Sequence, residues 1–275
     1  MAGDESSISS LHRAVQVLRT LAAGAAEGGQ RVSDLGKALG YTQATTHRLL
    51  QQLVDEGLVE QDAASRRYAL SLDFFALAAR AGEAGGLRER CRPALLRLGA
   101  SLGDSVFLLV RAGFDALCLD RWEGPFPIRS FTGDIGGRVP LGIGQGSMAI
   151  LAHLPEAERE EVIRHNVPRL TGMGMVDGVF LRTEAARVHR QGFAATSNGL
   201  IEGMAGVGVP VFDAGGRVVA ALSIGTLTAR LEGERLPVVV ELLQREARAL
   251  SALINPFDRA LRRPAEALGG SGRGA

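Results

Sequence analysis

The chain has 275 residues, enough for two domains of ordinary size, and its 46% apolar to 22% charged balance is that of a folded core. The formal net charge is +1, and no apolar run approaches the ~20 residues a membrane span needs, so neither a bilayer-spanning helix nor a strongly charged tail is expected. Met1–Ser10 is polar and acidic, unlike a secretory leader, and two cysteines (Cys91, Cys118) are too few for a disulfide framework and lack metal-site spacing, which predicts a cytoplasmic protein with no membrane association.

In chain order, Ser9–Ala23 reads as a helix with Leu11, Val15, Leu18 and Ala22 at helical spacing, followed by a glycine-rich loop over Gly24–Gly29. VSDLGKALG is a second helix, with Ser33 as the expected N-cap, Val32, Leu35 and Leu39 facing the core and Gly40 ending it. The third helix, TQATTHRLLQQLVDEG, puts Leu49, Leu50, Leu53 and Val54 on one apolar stripe. Ala44, Arg48, Gln51 and Asp55 lie opposite, with Thr45 and His47 on the flanks. Small and hydrogen-bonding side chains in the first two turns suit a helix that enters a DNA major groove by its N-terminus. Free N–H groups and the positive dipole end there also favour a phosphate. LVEQDAASRRYAL then offers two extended runs around a polar tip, with Arg66 and Arg67 where a wing would meet the DNA backbone or minor groove. Helix, turn, helix and hairpin make a winged helix-turn-helix over residues 1–71. The same pattern also fits an ordinary helical subdomain, a reading weakened by the hairpin placed directly after the helix.

Charge tempers this. Residues 1–70 hold seven Lys and Arg against eight Asp and Glu, a net of −1, where a DNA-binding domain usually shows a basic footprint. Tyr41–Gln51 contains no acid, so the local field is better than the total. One copy should still bind weakly, and useful affinity calls for two or four copies on repeated half-sites.

SLDFFALAARAG reads as a connecting helix, and EAGG breaks the pattern, giving a linker over 72–86 and a second domain over 87–261. That domain begins with the helix RERCRPALLRLGASLG, for which Pro93 marks the expected start. Strand-like SVFLLVRAG, DALCLDRWE and PIRSF follow, then glycine-rich GDIGGRVPLGIGQG. Three helices (SMAILAHL, EAEREEVIRHN, RTEAARVHRQG) precede a meander of FAATSNG, AGVGVPVFD and RVVAALSIG, in which DAGG makes the last turn, and VVVELLQREARALSALI closes the domain as a long helix. Strands with interposed helices and a final meander predict an α+β sensor domain. Residues 262–275 are expected to be a disordered tail.

Few residues here suggest chemistry. Ala221–Gly225 approximates a nucleophile elbow, but TLTAR follows where an elbow needs a helix, so Ser223 reads as a strand residue. His153, His165 and His189 fall on separate helical patches and read as solvated faces. Gly142, Gly144 and Gly146 precede a helix without completing a dinucleotide-binding pattern. Such a turn leaves N–H groups aimed at whatever it borders. Arg121, Trp122 and Arg129 are pocket or dimer-contact candidates.

The residues TTHRLLQQL, GLVEQD and RRYAL resemble the signature of the IclR family of bacterial transcriptional regulators, over roughly residues 9–258. The resemblance implies an α+β fold in which a winged helix-turn-helix is joined to a GAF-like effector-binding domain. It implies a homodimer or homotetramer on a double-stranded, pseudo-palindromic DNA operator of a catabolic operon, a small organic acid as effector and no cofactor. DNA reading would fall to Gln43, Ala44, Thr45, His47, Arg48 and Gln51, with Arg66 and Arg67 on the wing. Thr46 stands where an apolar residue is usual, which predicts a buried hydroxyl bonded to the helix backbone. By the same resemblance Gly144 and Gln145 lie at the effector-contacting turn, Gly206 stands where many members carry a cysteine, Ser223 is one of two pocket serines and Gly225 replaces the other. Two polar groups are thus missing, which predicts unusual room opposite the turn and a carboxylate on an aromatic or medium-length aliphatic body. The rival readings are a small-molecule hydrolase with a fused helical domain, which lacks a nucleophile–base–acid set, and an interaction module whose helix-turn-helix only dimerises.

Overall fold

The computed structural model describes residues 9–24, 28–74, 76–77, 86–125, 134–170, 176–197, 201–231 and 233–252. The expected strand PIRSF, Arg129 and the tail 262–275 lie outside them. The chain divides into two compact units, Met1–Ala84 and Gly85–Ala275.

The first unit holds α1 (Ser10–Ala23), α2 (Val32–Leu39), α3 (Gln43–Asp55), β1 (Val59–Gln61) and β2 (Tyr68–Leu70). Its core is Val17 and Leu21 of α1, Leu35 of α2, Leu49, Leu50 and Leu53 of α3, Val59 and Tyr68. Burying each large side chain contributes roughly 1.5–3 kcal/mol, so the α3 stripe anchors that helix. Two expectations about the first helices need correction. The buried side of α1 is centred on Val17 and Leu21, with Ala14 and Leu18 packed beside them, whereas Leu11 is 73% exposed and Ala22 is also exposed. Leu11 begins the helix one turn before anything covers it. Ser33 does not cap α2: the cap position is Arg31, with no side-chain hydrogen bond, and Ser33 instead donates to Asp34 within the first turn. Gly40 does end α2, in the left-handed conformation (φ 70°), and its N–H bonds to the Gly36 and Lys37 carbonyls.

β1 and β2 pair antiparallel, Val59 opposite Leu70. Gln30 adds a one-residue third strand, exchanging two backbone hydrogen bonds with Tyr68, while its side-chain amide donates to the Thr20 carbonyl at 2.9 Å. That single residue ties the hairpin to the end of α1.

The second unit is a six-stranded, wholly antiparallel sheet in the order β5-β4-β3-β8-β7-β6. Its elements are α4 (Leu87–Leu102), β3 (Ser105–Ala112), β4 (Asp115–Trp122), β5 (Arg138–Pro140), α5 (Gln145–Ala152), α6 (Glu156–Asn166), α7 (Gly178–Gln191), β6 (Ala194–Ser197), β7 (Met204–Phe212), β8 (Val218–Leu227), the single turn α8 (Thr228–Leu231) and α9 (Arg235–Ser251). Strand alternation sends Val106, Leu108, Val110, Val207, Val209 and Leu222 to one face, under α4 and α9. Phe107, Leu109, Cys118 and Ala221 go to the other, under α5, α6 and α7. Pro93 does not start α4 but lies inside it, seven residues in, and the helix runs on past its missing N–H to a left-handed cap at Gly103. β5 lies within the glycine-rich connection of the sequence, where three residues are too few to carry a period-2 signal.

Buried carboxylates join the elements. Asp104, fully buried, accepts from Thr226 Oγ1 at 2.8 Å, Arg230 Nε at 3.1 Å and Arg235 Nη2 at 2.6 Å, linking the start of β3 to the end of β8 and to α8 and α9. Arg92 Nη1 reaches both oxygens of buried Asp120, and Arg97 grips Glu246 through Nε and Nη2, fastening α4 to α9. A buried carboxylate is tolerated when its lone pairs are satisfied in this way.

Candidate functional site

Two places carry polar groups that the folds themselves do not use. The first is the outer face of α3. Thr42 caps the helix, accepting from the Thr45 N–H at 3.2 Å and donating its hydroxyl to Thr45 Oγ1 at 2.9 Å. Thr46 is fully buried and its hydroxyl donates to the Thr42 carbonyl at 2.9 Å, so an internal bond satisfies the polar group in an apolar slot. The same oxygen lies 3.2 Å from where a Cβ on Gly36 would stand, which is how closely α2 and α3 meet. With Thr46 and the stripe turned inward, Gln43, Ala44, His47, Arg48 and Gln51 are exposed together, and Thr45 is half-buried at their edge. Gln51 leans on Asp55 at 3.3 Å; His47 and Arg48 have no hydrogen bond or ion pair among the described residues. Such a face offers a cation, an imidazole, two amides and a small side chain to a groove.

At the hairpin tip the two arginines separate. Asp62 accepts from the Ser65 hydroxyl and N–H, both at 2.6 Å, and these bonds hold its carboxyl below the usual range. Arg66, in the left-handed region at φ 58°, is exposed. Arg67 turns back instead: its Nη1 donates to the Gly29 carbonyl at 2.6 Å, so it fastens the wing to the loop before α2. Equal wing contacts from both arginines do not fit this arrangement.

The second place is the N-terminus of α5. Gly142 (φ 107°) and Gly144 (φ 76°) make the turn, and the Ser147 hydroxyl holds it, accepting from the Gly142 N–H at 2.8 Å and donating to the Pro140 carbonyl at 3.2 Å. The helix then lands on the sheet where the side chains are smallest. Gly206 pairs with Gly225, and Gly208 with Ser223, on the face that also holds Phe107. A Cβ on Gly208 would lie 2.5 Å from the Gln145 carbonyl oxygen and 2.6 Å from the Gly146 nitrogen. One on Gly146 would lie 2.8 Å from Ser223 Oγ. Both glycines are therefore there for close approach of helix to strand. Ser147 and Gly208 were missed in the sequence, although small residues alternating along GVGVP opposite the glycine-rich turn are a legible sign of such packing.

Expected room beside Gly206 is not found at its Cβ. That position is 2.7 Å from the Ile224 carbonyl oxygen and 3.3 Å from Gln145 Oε1, so the Gln145 side chain already lies across the glycine. The structure therefore brings Gly144, Gln145, Gly206, Ser223 and Gly225 to one face, with an amide filling part of the space over Gly206. Neither the Gln145 amide nor the Ser223 hydroxyl has a hydrogen bond among the described residues, and Ser223 Oγ, on a residue only 6% exposed, is not sealed from solvent. Ser223 sits mid-strand, without a histidine or carboxylate bonded to it, which is no arrangement for a nucleophile. Trp122 packs its ring over Gly99 of α4, on the opposite face, and Arg121 pairs with Glu123 and with Asp134 at 2.9 Å. Neither cysteine offers a reactive thiol: burial pushes Cys91 up to about 12 and Cys118 up to about 11.

The histidines are not all spread out. His165 stacks on Phe114, but the ring centres of His153 and His189 are 5.0 Å apart. Sequence spacing hides this pair, since one follows α5 and the other ends α7.

Both units resemble known proteins. Residues 10–63 match the IclR helix-turn-helix domain and residues 81–252 match the bacterial transcriptional regulator IclR C-terminal domain. The glycerol operon regulatory protein of Streptomyces coelicolor is 30% identical over 246 residues, covering 89% of this chain and 95% of that protein. Among solved structures, an IclR-type regulator from Alicyclobacillus acidocaldarius superposes with a TM-score of 0.75 at 25% identity over 90% of this chain and 98% of the other. An IclR homologue from Microbacterium hydrocarbonoxydans, complexed with 4-hydroxybenzoate, superposes at 0.72 with 27% identity over 89% and 98%. With both units matched in order and nearly end to end, the chain belongs to the IclR family of bacterial transcriptional regulators, DNA-binding proteins and not enzymes.

Proposed function

We propose that this regulator binds a pseudo-palindromic operator as a dimer or tetramer and responds to a small organic acid held at the N-terminus of α5. The observation that carries the DNA half is the exposed set Gln43, Ala44, His47 and Arg48 on a helix whose other side is locked by Thr46, Leu49, Leu50 and Leu53. α3 would enter the major groove by its first two turns, with Arg48 on a base edge or phosphate, Thr45 beside it and Arg66 on the backbone. Residues 1–71 would form the DNA-binding domain, 72–86 the linker and 87–261 the effector domain. Oligomerisation follows from charge, because a unit with a net of −1 over its first 70 residues gains too little from phosphates to act singly.

For the effector, the supporting features are the free Gln145 amide, the free Ser223 hydroxyl and the positive end of α5. A carboxylate would take the helix N–H groups, and Gln145 and Ser223 would fix its orientation. The 4-hydroxybenzoate bound to a relative favours an aromatic body. Because Gln145 already lies across Gly206, the body would extend past Gly225, which is half-buried, and not over Gly206. The test is footprinting on the protein's own promoter region, combined with a thermal-shift panel comparing hydroxybenzoates with pyruvate- and glyoxylate-sized acids. Occupancy of one isolated half-site by a monomer would overturn the oligomeric reading, and a response to the small acids alone would overturn the aromatic one.

A further inference from the structure

At the far end of α5 from the effector turn lies a second polar arrangement. His153 follows the helix directly, and its Nδ1 stands 2.9 Å from the Ala149 carbonyl; His189, on α7, has its Nδ1 3.0 Å from the Ala152 carbonyl. A carbonyl oxygen can only accept, so both Nδ1 atoms carry a proton, and in the neutral ring each Nε2 then presents a lone pair. Neither Nε2 has a partner among the described residues. That of His153 also reaches solvent, because no unpartnered atom of the ring is buried.

Anchoring one ring nitrogen to a backbone carbonyl is how proteins orient an imidazole for metal ligation by the other. The separation fits as well. With metal–nitrogen bonds of about 2.0–2.1 Å, two imidazoles on one tetrahedral ion have ring centres about 5 Å apart, and those of His153 and His189 are 5.0 Å apart. Phe212 packs edge-on against His153, its ring centre 5.4 Å away, and limits how far that ring can turn. The location suits a cation, since α5 directs the negative end of its dipole at both rings. Burial lowers the proton affinity of His153 and His189 adds to the effect, against the hydrogen bond to Ala149, so protons compete less well for its ligating nitrogen.

We propose that His153 and His189 form a two-imidazole site for a borderline divalent transition-metal ion such as Zn²⁺, Ni²⁺ or Cu²⁺, clamping the end of α5 to α7. Among the described residues no third His, Cys, Asp or Glu joins the pair, so water completes the coordination sphere and the binding is reversible. The ligand set of two nitrogens and water disfavours Ca²⁺ and Mg²⁺, which require oxygen donors.

The experiment titrates the full-length protein, stripped with a chelator, with Zn²⁺ alone by calorimetry, and with Cu²⁺ alone by electron paramagnetic resonance. One ion per chain is expected, with hyperfine coupling from two nitrogens. His189→Gln should weaken Zn²⁺ binding by about 100-fold, since a chelated second ligand acts at high effective concentration, and should leave coupling from one nitrogen. His189 is exposed, so this variant should fold even if His153→Gln does not. No saturable binding, or an affinity untouched by His189→Gln, would overturn the proposal and assign any bound ion to His12, His47 or His165.

Discussion

Substitution of Gly208 by alanine probes how α5 is held at the proposed effector turn. The added Cβ would lie 2.4 Å from the Gln145 carbonyl carbon, where ordinary contact begins at 3.4 Å, so the first turn of α5 must lift by about 1.0 Å. The strand cannot give way, because Gly208 is bonded in register between Ala194 of β6 and Ser223 of β8. The helix is nearly as constrained, since Gly146 already rests on Leu109 and Ser223 and every residue from Gly146 to Ala152 is buried. Overpacking of this kind costs about 1–3 kcal/mol. In a domain of this size that corresponds to a fall in Tm of roughly 2–12 °C. The lift also carries Gln145 away from the sheet, so effector binding should weaken by more than the stability loss accounts for. Operator binding without effector should change little. Circular-dichroism melts, effector titration by thermal shift and gel-shift assays on one preparation give the three readouts. An unchanged Tm with an unchanged effector response would show that α5 does not rest on Gly208 as described.

Arg48→Ala should weaken operator binding by about 1–3 kcal/mol, the range for one specific contact, with Tm unaltered because the side chain is exposed and unpaired; gel-shift titration and melting decide it. Arg66→Ala and Arg67→Ala should differ in kind: the first lowers DNA affinity and its salt slope by about one, while the second lowers Tm by removing the bond to the Gly29 carbonyl, worth about 1 kcal/mol. His153 binds a proton less readily folded than unfolded, so its contribution to stability is present above the ordinary imidazole value near 6.5 and is lost as pH falls below it. Urea melts should show a slope of up to about 1.4 kcal/mol per pH unit in that window that His153→Gln flattens.

Much of the first unit could be read from the chain because its determinants are local. The stripe Leu49, Leu50, Leu53, the stop at Gly40 and the hairpin after Gly57 each depend on residues within a few positions of one another. Thr46 was legible too, since a hydroxyl in an apolar slot has the backbone four residues earlier as its nearest acceptor. What failed there depended on partners far along the chain. The buried face of α1 is fixed by what α3 and Tyr68 cover, and Arg67 is drawn inward by a carbonyl 38 residues away.

The proposed effector site shows the same division more sharply. The resemblance points to its turn and its strand residues, and the strand alternation that puts Gly206, Ser223 and Gly225 on one face follows from period 2 alone. Whether a glycine there means space or contact cannot follow from either strand, because the answer lies on a helix sixty residues earlier. At Gly208 the backbone of α5 fills the position and at Gly206 the side chain of Gln145 does, so an absent Cβ on the sheet is compensated from the layer above. Removing a side chain from a two-layer contact lets the layers approach until atoms touch again, as close packing requires. At position 206 that approach leaves Gln145 Oε1 3.3 Å from where a Cβ would stand. Effector selectivity should then be set by the rotamer of Gln145, and Gln145→Ala, more than any change at Gly206, should open the room that the sequence alone had suggested.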